Sequence, residues 1–277
     1  MDRANPPTSV AHYNVNYGNF KADVYAQIRQ EAFGEDIGQN SWHTADEQNR
    51  FLSWLELDQG KRLLDVACGA GGPALRIAAN SGCSVTGVDV HQQALNTARS
   101  LAAERGLAGR AEFRVVDATQ PLPFPDAHFD AITCIDAINH LADRPGILAE
   151  WTRVLKPGGR VLFTDPIIVT GPLTNTEISV RTSAGFYLVV PRGYDELVLA
   201  QSGLRLLTNE DVTENMARIA EARHAARAAR SAALREIEGD GAYADEQEFL
   251  AVTGRLAREG RLSRFVYCAA KLGGSEH

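Results

Sequence analysis

A strand, a glycine-rich loop and a helix start lie next to one another in residues 63–74, and this stretch most constrains the fold. The apolar run Leu63–Val66 contains one acid, Asp65, and leads into a cluster of glycines. Glycines lack a Cβ, so the backbone can approach a ligand closely, and Pro73 suits the first turn of a helix. The N–H groups of such a loop favour a carboxylate or a phosphate. The stretch therefore predicts a ligand-binding strand–loop–helix unit.

Strands and helices alternate from residue 61 to residue 165, which is the pattern of an α/β sheet. These strands are almost continuously apolar, as strands buried on both faces must be. Five strands are expected in this part, with a sixth at 204–212 and a seventh at 263–270. The last strand is predicted to lie antiparallel at the sheet edge. The fold class is therefore α/β, a Rossmann-like seven-stranded sheet with helical lid insertions.

The first 58 residues predict a helical arm that covers the ligand, and residues 59–277 form the main domain. One arm helix has an apolar stripe formed by Tyr13, Tyr17, Phe20, Tyr25 and Ile28. A second helix begins near Thr44. The loop 34–43 between the two helices contains Trp42, His43 and two amides, a composition suited either to contacting a ligand or to connecting helices.

Two further segments, 167–190 and 214–260, are predicted to cap the sheet. The first has no clear period, and the second begins with an Ala/Arg-rich stretch that predicts one long helix over 214–239. Both segments lie beyond the alternating part of the chain. We expect them to form a lid.

Composition limits the class of protein and its partners. The chain has 277 residues, of which 44% are hydrophobic, so it can bury a proper core. Its net charge of −7 argues against general nucleic-acid binding. The four cysteines are scattered without metal-ligand spacing, which predicts thiols in a reducing cytoplasm and no metal site. No stretch is typical of a signal peptide or a membrane span, so we expect a cytoplasmic protein without membrane contact.

Three acids, Asp65, Asp89 and Asp117, stand at the ends of three successive predicted strands. The carboxyl ends of parallel strands line the ligand crevice of an open sheet, although an aspartate there can also cap a turn. Gly69-x-Gly71-x-x-Ala74 with Asp89 also satisfies the dinucleotide fingerprint. Asp65, however, would repel a pyrophosphate and would suit a cationic amino group. S-adenosylmethionine has the amino-acid end, the ribose and the adenine that the three acids would meet in turn.

These motifs resemble the class I S-adenosylmethionine-dependent methyltransferases. The resemblance covers about residues 60–165 and rests on Leu64-Asp65-x-x-x-Gly69-x-Gly71, Gly87-Val88-Asp89, Asp117-Ala118 and Leu155-Lys156-Pro157-Gly158-Gly159. Gly71-Gly72-Pro73-Ala74 and Gly34-Glu35-Asp36-Ile37 are similar to a small-molecule branch. That branch includes the methyltransferases of glycine, sarcosine and dimethylglycine, of phosphoethanolamine and of sterols.

The resemblance implies a set of cofactor-binding residues. They are Asp65, Ala67, Gly69, Gly71, Asp89, Val90, Asp117, Ala118, Ile135 and, from the arm loop, Trp42. The loop from Asp65 to Gly71 would hold the methionine end, and Asp89 would accept hydrogen bonds from the ribose hydroxyls. Asp117 would accept from the adenine amino group. The family usually has glycine at the position of Ala67, where an alanine needs a negative φ or a small penalty.

Two histidines are candidate catalytic residues. Methyl transfer from a sulfonium needs mainly alignment in a dry pocket, but a hydroxyl acceptor gains from a general base. His140, five residues after the fourth predicted strand, and His43 on the arm loop could serve as that base. The other explanation for each is a structural histidine that caps or bridges a helix.

Three arginines, Arg223, Arg227 and Arg230, share one face of the predicted long helix. They form either a solvated surface or an anion site for a carboxylate or phosphate substrate. Further cations that would support the anion site are Arg181, Arg192 and Arg264.

The sequence therefore predicts an enzyme that transfers a methyl group from S-adenosylmethionine to a nitrogen, oxygen or carbon atom of a small molecule. An NAD-dependent oxidoreductase and a non-catalytic cofactor-binding protein are the alternatives. No nucleic-acid partner is expected.

Overall fold

The structure, a computed structural model, describes residue 20 and residues 22–183 and 185–273. In this part of the chain the strands are β1 Arg62–Val66, β2 Ser84–Asp89, β3 Ala111–Val115, β4 Phe129–Cys134, β5 Leu155–Val169, β6 Val190–Pro191, β7 Leu204–Asp211 and β8 Leu262–Lys271. The helices are α1 Asp23–Phe33, α2 Ala45–Leu55, α3 Gly72–Ser81, α4 Gln92–Glu104, α5 Arg144–Val154, α6 Asn175–Arg181, α7 Tyr194–Gln201, α8 Thr213–Ala228, α9 Ser231–Glu238 and α10 Asp240–Arg258. A short 3-10 helix, Ile138–His140, follows β4.

The strands form one sheet in the order β3-β2-β1-β4-β5-β8-β7, with the short β6 beside β5. Strands β1 to β5 pair in parallel, whereas β8 is antiparallel to both β5 and β7. The predicted α/β sheet is thus confirmed, and so is the antiparallel direction of the last strand. Its predicted edge position is wrong, because β7 forms the edge and β8 is an inner strand. Nine of the ten residues of β8 are buried, as an inner strand requires.

Each face of the sheet has its own core, because successive strand residues point to opposite faces. Leu64 packs in a cluster with Trp151 of α5 and Phe163 of β5. Its neighbour Leu63 packs on the other face with Ile77 of α3 and Phe51 of α2. Two covered faces explain why the strands are continuously apolar in sequence.

The two arm helices, α1 and α2, pack against two different parts of the molecule. Thr44 caps α2 by accepting a hydrogen bond from the Glu47 N–H, and Phe51 and Leu55 bury against the α3 side of the sheet. Phe33 of α1 packs instead among residues of α8 and α10. Within the predicted apolar stripe of the first helix, Tyr13 and Tyr17 lie outside the described residues.

The predicted cap segments differ from the structure at two points. Residues 167–169 belong to β5, since they pair with the start of β8 across a bulge. The predicted long helix is broken between α8 and α9, where Arg230 Nη1 bonds the Ala226 carbonyl at 2.9 Å. The break lets Leu234 of α9 fold back into a cluster with Ile28 and Ala226. Alanine and arginine both favour helix, so propensity gave no sign of this stop.

Candidate active site

The carboxyl ends of β1 to β4 form the floor of a cavity of about 370 Å³. The arm loop closes it with Gly38, Asn40 and Ser41. The predicted site residues that line it are Asp65, Ala67, Gly69, Asp89, Val90, Asp117, Ala118, Ile135 and His140. Parallel strands bring these distant residues together, because their carboxyl ends lie at one edge of the sheet.

Asp65 is buried near the carboxyl end of β1 and lines the cavity. Its Oδ1 accepts a hydrogen bond of 2.7 Å from Thr133 Oγ1 on the neighbouring strand. Burial raises the pKa of Asp65 to about 7, with a further rise from Asp89, and the Thr133 bond only partly opposes this. A cationic group in the cavity would stabilise the ionised carboxylate.

The Asp89 carboxylate fixes the glycine loop as well as facing the cavity. Its Oδ2 accepts from the Gly69 N–H and its Oδ1 from the His91 N–H, both at 2.9 Å. Burial raises the pKa of Asp89 despite these bonds. A carboxylate offers about four lone-pair positions, and the Val90 N–H also interacts with Asp89, so room remains for a hydroxyl donor.

Asp117 is held by a local turn. Its Oδ1 accepts from the Thr119 N–H at 2.9 Å and from Thr119 Oγ1 at 2.6 Å, and the side chain is exposed at the cavity rim. This is the turn-capping role that an aspartate after a strand can take. Ala118 beside it is buried and lines the cavity.

Ala67 adopts φ +56°, not the negative φ that would have been free of strain. An alanine in this left-handed region costs roughly 1–2 kcal/mol relative to the right-handed one. The loop therefore keeps the backbone shape that a glycine would allow, and the chain bears a local strain at the cavity.

Gly71 and Gly72 serve packing within the protein. Gly71 has φ +74°, and a Cβ there would lie 2.8 Å from the Ala98 Cβ of α4. At Gly72 a Cβ would lie 2.2 Å from the Ile37 carbonyl oxygen, so the arm loop crosses directly over this glycine. Gly71 does not line the cavity, in contrast to the direct contact that the resemblance implied.

Trp42 and His43 also lie away from the cavity. The Trp42 ring stacks on Phe249 of α10, with centroids 6.2 Å apart, and so anchors the arm loop to α10. The His43 ring is 1% exposed and stacks on Phe51. Its Nδ1 is 3.6 Å from Glu47 Oε2. Neither residue lines the cavity, so the structure does not bring them together with the other predicted site residues.

His140 lines the cavity at the methionine end of the predicted cofactor path. Its Nδ1 is 3.0 Å from the Phe186 carbonyl oxygen, and its ring meets the edge of the Tyr187 ring at 4.5 Å between centroids. A carbonyl can only accept, so Nδ1 carries the proton in the neutral ring and Nε2 carries the lone pair. Burial lowers the pKa of His140, although the Phe186 carbonyl opposes this. The lowered pKa favours the neutral ring, in which Nε2 is the basic nitrogen.

A buried cluster that includes Asp165 of β5 supports the 3-10 helix that carries His140. Arg144 bonds Asp165 at 2.7 Å and also bonds Asp195, and its Nη2 reaches the Ile138 carbonyl at 3.4 Å. Burial and the neighbouring Asp165 raise the pKa of Asp195 to about 7, against the effect of Arg144. Sequence reasoning missed this cluster, since its members are 21 and 51 residues apart.

A second missed cluster joins the cavity lining to α2 and β8. Asp136 lines the cavity, and Arg264 of β8 bonds it at 2.7 Å and bonds both oxygens of Glu47 at 2.9 and 3.0 Å. From the sequence, Arg264 was predicted only as a possible ligand of an anion. An arginine inside an apolar strand that is covered on both faces needs a buried partner, and this was the available signal.

Arg223 and Arg227 of α8, and Arg230 in the break after it, join this region to neighbouring helices. Arg223 pairs with Glu246 of α10 at 3.1 Å, Arg227 with Glu238 of α9 at 2.7 Å, and Arg230 with Glu31 of α1 at 2.8 Å. Arg227 is 4% exposed, so a solvated surface is wrong for this residue. Carboxylates of the protein itself already occupy the position of an external anion.

Within residues 22–183 and 185–273 and at residue 20, no group of three His, Cys, Asp or Glu side chains could hold a metal ion. None of the helices in these described parts has the length and apolar character needed to cross a membrane.

Comparisons with known proteins identify the family. A family profile described as a methyltransferase domain matches residues 64–163. The 27-O-demethylrifamycin SV methyltransferase of Amycolatopsis mediterranei (strain S699) is 30% identical over 204 residues, 69% of this chain and 75% of the relative. The chain belongs to the S-adenosylmethionine-dependent methyltransferases. The predicted enzyme class and cofactor are confirmed by this membership, and the oxidoreductase alternative is not favoured.

Other relatives show how widely this family varies. Phosphoethanolamine N-methyltransferase 3 of Arabidopsis thaliana is 36% identical over 152 residues, 55% of this chain but 29% of the relative. The crystal structure of the [4+2]-cyclase SpnF is similar with a TM-score of 0.77 and 27% identity, over 97% of this chain and 98% of that chain. The predicted small-molecule branch is confirmed, and the fold also carries a different reaction.

Proposed function

We propose that this methyltransferase holds S-adenosylmethionine along the carboxyl ends of β1 to β3 and methylates a hydroxyl group of a small organic molecule. The methionine amino group would lie against Asp65, the ribose against Asp89 and the adenine between Asp117 and Ala118. Burial of Asp65 and Asp89 beside the same cavity supports this order, because buried carboxylates gain most from a cationic or donor ligand. Val90 and Ile135 would border the bound cofactor as apolar wall.

The observation that carries hydroxyl methylation is the orientation of His140. Its Nδ1 is fixed by the Phe186 carbonyl, so Nε2 is the basic nitrogen in a cavity-lining ring whose pKa is lowered by burial. Such a base would take the proton of the acceptor hydroxyl, while the bound cofactor would supply the methyl group and leave as S-adenosylhomocysteine. The rifamycin relative, whose name specifies a 27-O position, is consistent with this choice.

The acceptor would enter beside the segment that holds His140 in place. Tyr187 packs on the His140 ring, and the Leu188 N–H donates to the Asn139 carbonyl at 2.7 Å. Phe186 in the same segment is 52% exposed. An acceptor with an apolar or aromatic surface would contact this ring on its way to His140.

His140→Gln tests this assignment. Transfer of a labelled methyl group to matched hydroxyl and amine compounds would be measured with wild type and variant. We expect kcat for hydroxyl acceptors to fall on the order of 100-fold or more, with S-adenosylhomocysteine affinity nearly unchanged. His128→Gln is the matched control, because His128 lies at the other end of β4 and does not line the cavity.

Two outcomes would contradict the proposal. Full activity of His140→Gln on a hydroxyl acceptor would remove His140 as the base. Transfer to amines alone would remove the hydroxyl class of acceptor. The assay must detect methyl transfer itself, because the fold also carries a cyclase.

We also place the protein in the reducing cytoplasm, which is supported by four buried cysteines without disulfides.

A further inference from the structure

Asp136 connects the floor of the cavity with the arm loop above it. It follows β4, lines the cavity and adopts φ +53°. Its Oδ2 accepts a hydrogen bond of 2.9 Å from the Trp42 N–H, so this carboxylate binds the arm loop directly. Its Oδ1 accepts from Thr164 Oγ1 at 2.7 Å, and Thr164 Oγ1 accepts from the Asp136 N–H at 2.7 Å. A left-handed aspartate keeps this conformation only where its surroundings hold it.

Arg264 supplies the charge that holds Asp136. The side chain is fully buried, and its Nε donates to Asp136 Oδ1 at 2.7 Å while its Nη1 donates to both oxygens of Glu47. Burial alone would raise the pKa of Glu47, but Arg264 and the nearby His43 outweigh it and lower that pKa to about 2. One guanidinium thus lies between an ionised residue of α2 and a carboxylate of the cavity.

A β-bulge directs Arg264 to this position. The pairing of β5 with β8 shifts between Asp165 and Ile168, so that β5 carries one residue more than β8 opposite Arg264. The Arg264 N–H donates instead to Thr213 Oγ1 at 3.0 Å, and its carbonyl accepts from the Val212 N–H at 2.9 Å. Bulges bend a strand locally and redirect a side chain, often beside a functional site.

We propose that Arg264 is a positioning residue for cofactor binding, which it supports by holding Asp136 and Glu47 so that the arm loop closes over the cavity. Arg264 does not line the cavity, so it acts through Asp136. Asn40 and Ser41, which line the cavity, immediately precede the Trp42 N–H that Asp136 fixes. Loss of the bridge therefore releases the arm loop from the floor. The inference rests on the proposed cofactor site.

The first test is Arg264→Lys, which keeps a positive charge but loses the planar fork that reaches two carboxylates. We expect the Kd for S-adenosylhomocysteine, measured by calorimetry, to rise at least tenfold. Hydrogen exchange of the amides in loop 38–43 should no longer slow when S-adenosylhomocysteine is added. Arg227→Met is the matched control, since it breaks the buried pair with Glu238 away from this cavity. It should lower the Tm and leave the Kd within about twofold.

The second test remains available if Arg264→Lys does not fold. Glu47→Gln and Asp136→Asn are combined in a double-mutant cycle, because the two residues bond different nitrogens of Arg264. Glu47 does not line the cavity, so a weaker Kd in Glu47→Gln is the decisive result. The double variant should lose less affinity than the product of the two single losses. An unchanged Kd in Glu47→Gln, or independent effects in the cycle, would overturn the proposal.

Failure of wild type to bind S-adenosylhomocysteine would contradict the proposed cofactor site instead. A Tm loss in Arg264→Lys without any change in Kd or in loop exchange would show a purely structural role. The two proposals therefore fail on different measurements.

Discussion

The floor of the cavity lies at the carboxyl ends of β1 to β4, and the arm loop forms its roof. The contacts that hold the two differ in how far apart their partners lie in the sequence. In the floor, Asp89 bonds Gly69 only 20 residues away. In the roof, Arg264 bonds Glu47 across 217 residues and Asp136 bonds Trp42 across 94. The floor is thus built from strand ends that the parallel sheet brings to one edge, including the Asp65–Thr133 bond across 68 residues. The roof is built from segments that share no such strand pattern. The proposed cofactor contacts therefore follow from the strand pattern, whereas closure of the site depends on pairings made only in the tertiary structure.

Asp89→Ala should produce the largest effect, because this acid acts in the floor twice. It removes the acceptor of the Gly69 and His91 N–H groups and the proposed ribose contact. We expect S-adenosylhomocysteine affinity to fall on the order of 100-fold, measured by calorimetry. Asp126→Ala is the control, as Asp126 is exposed and pairs with Arg153. Equal affinity in wild type and Asp89→Ala would show that the floor does not hold the cofactor.

The pH dependence of cofactor affinity tests the floor a second time. Burial raises the pKa of Asp65 to about 7, so the ionised form that binds an ammonium group predominates only above that pH. Affinity for S-adenosylhomocysteine should therefore fall roughly tenfold between pH 8 and pH 6. Asp65→Asn should bind weakly with a flat profile. A wild-type profile that is equally flat would remove the proposed contact.

Ala67→Gly should stabilise the floor by a smaller amount. Glycine accepts φ +56° without the steric cost, but it loses more entropy on folding, so the net gain is about 1 kcal/mol or a Tm increase of about 2 °C. Ala70→Gly in the same loop lacks a positive φ and should be destabilising. Calorimetric melting of both variants decides whether strain is stored at Ala67; a lower Tm for Ala67→Gly would contradict it.

Glu31→Gln should have the smallest effect. It measures how much an exposed ion pair contributes to holding the arm in place. Glu31 is half exposed in its pair with Arg230, so its loss should cost at most about 0.5 kcal/mol. Thermal melts at low and high salt would show this as a small difference that disappears with salt. A loss of several kcal/mol would mean that exposed pairs, and not the buried bridge, fix the arm.

The sequence predicted much of the floor from particular residues. The order Asp65, Asp89, Asp117, each at a strand end, placed all three acids at one cavity because parallel strands share an edge. Gly71 was predicted to contact the ligand, but in the structure it makes room for the Ala98 side chain. Both uses demand the same missing Cβ, so the residue type alone could not distinguish them.

The roof could be predicted less well, because the residues that bond one another there follow no regular spacing in the sequence. Trp42 and His43 have the composition of ligand-contacting residues, yet their rings pack on Phe249 and Phe51. The break between α8 and α9 lies in residues that all favour helix. Tertiary packing of Leu234 outweighs local propensity there.

By itself, the sequence determined the parallel sheet, its glycine loop and the acids at its carboxyl edge, because hydrophobic period and turn chemistry are local. Only the tertiary structure decided that β8 is an inner strand, that the Phe186 carbonyl bonds His140 Nδ1, and that Arg264 joins Glu47 to Asp136. Each of these depends on which distant groups become buried together. A buried charge must find its partner wherever the fold places one, and no local pattern names that partner in advance.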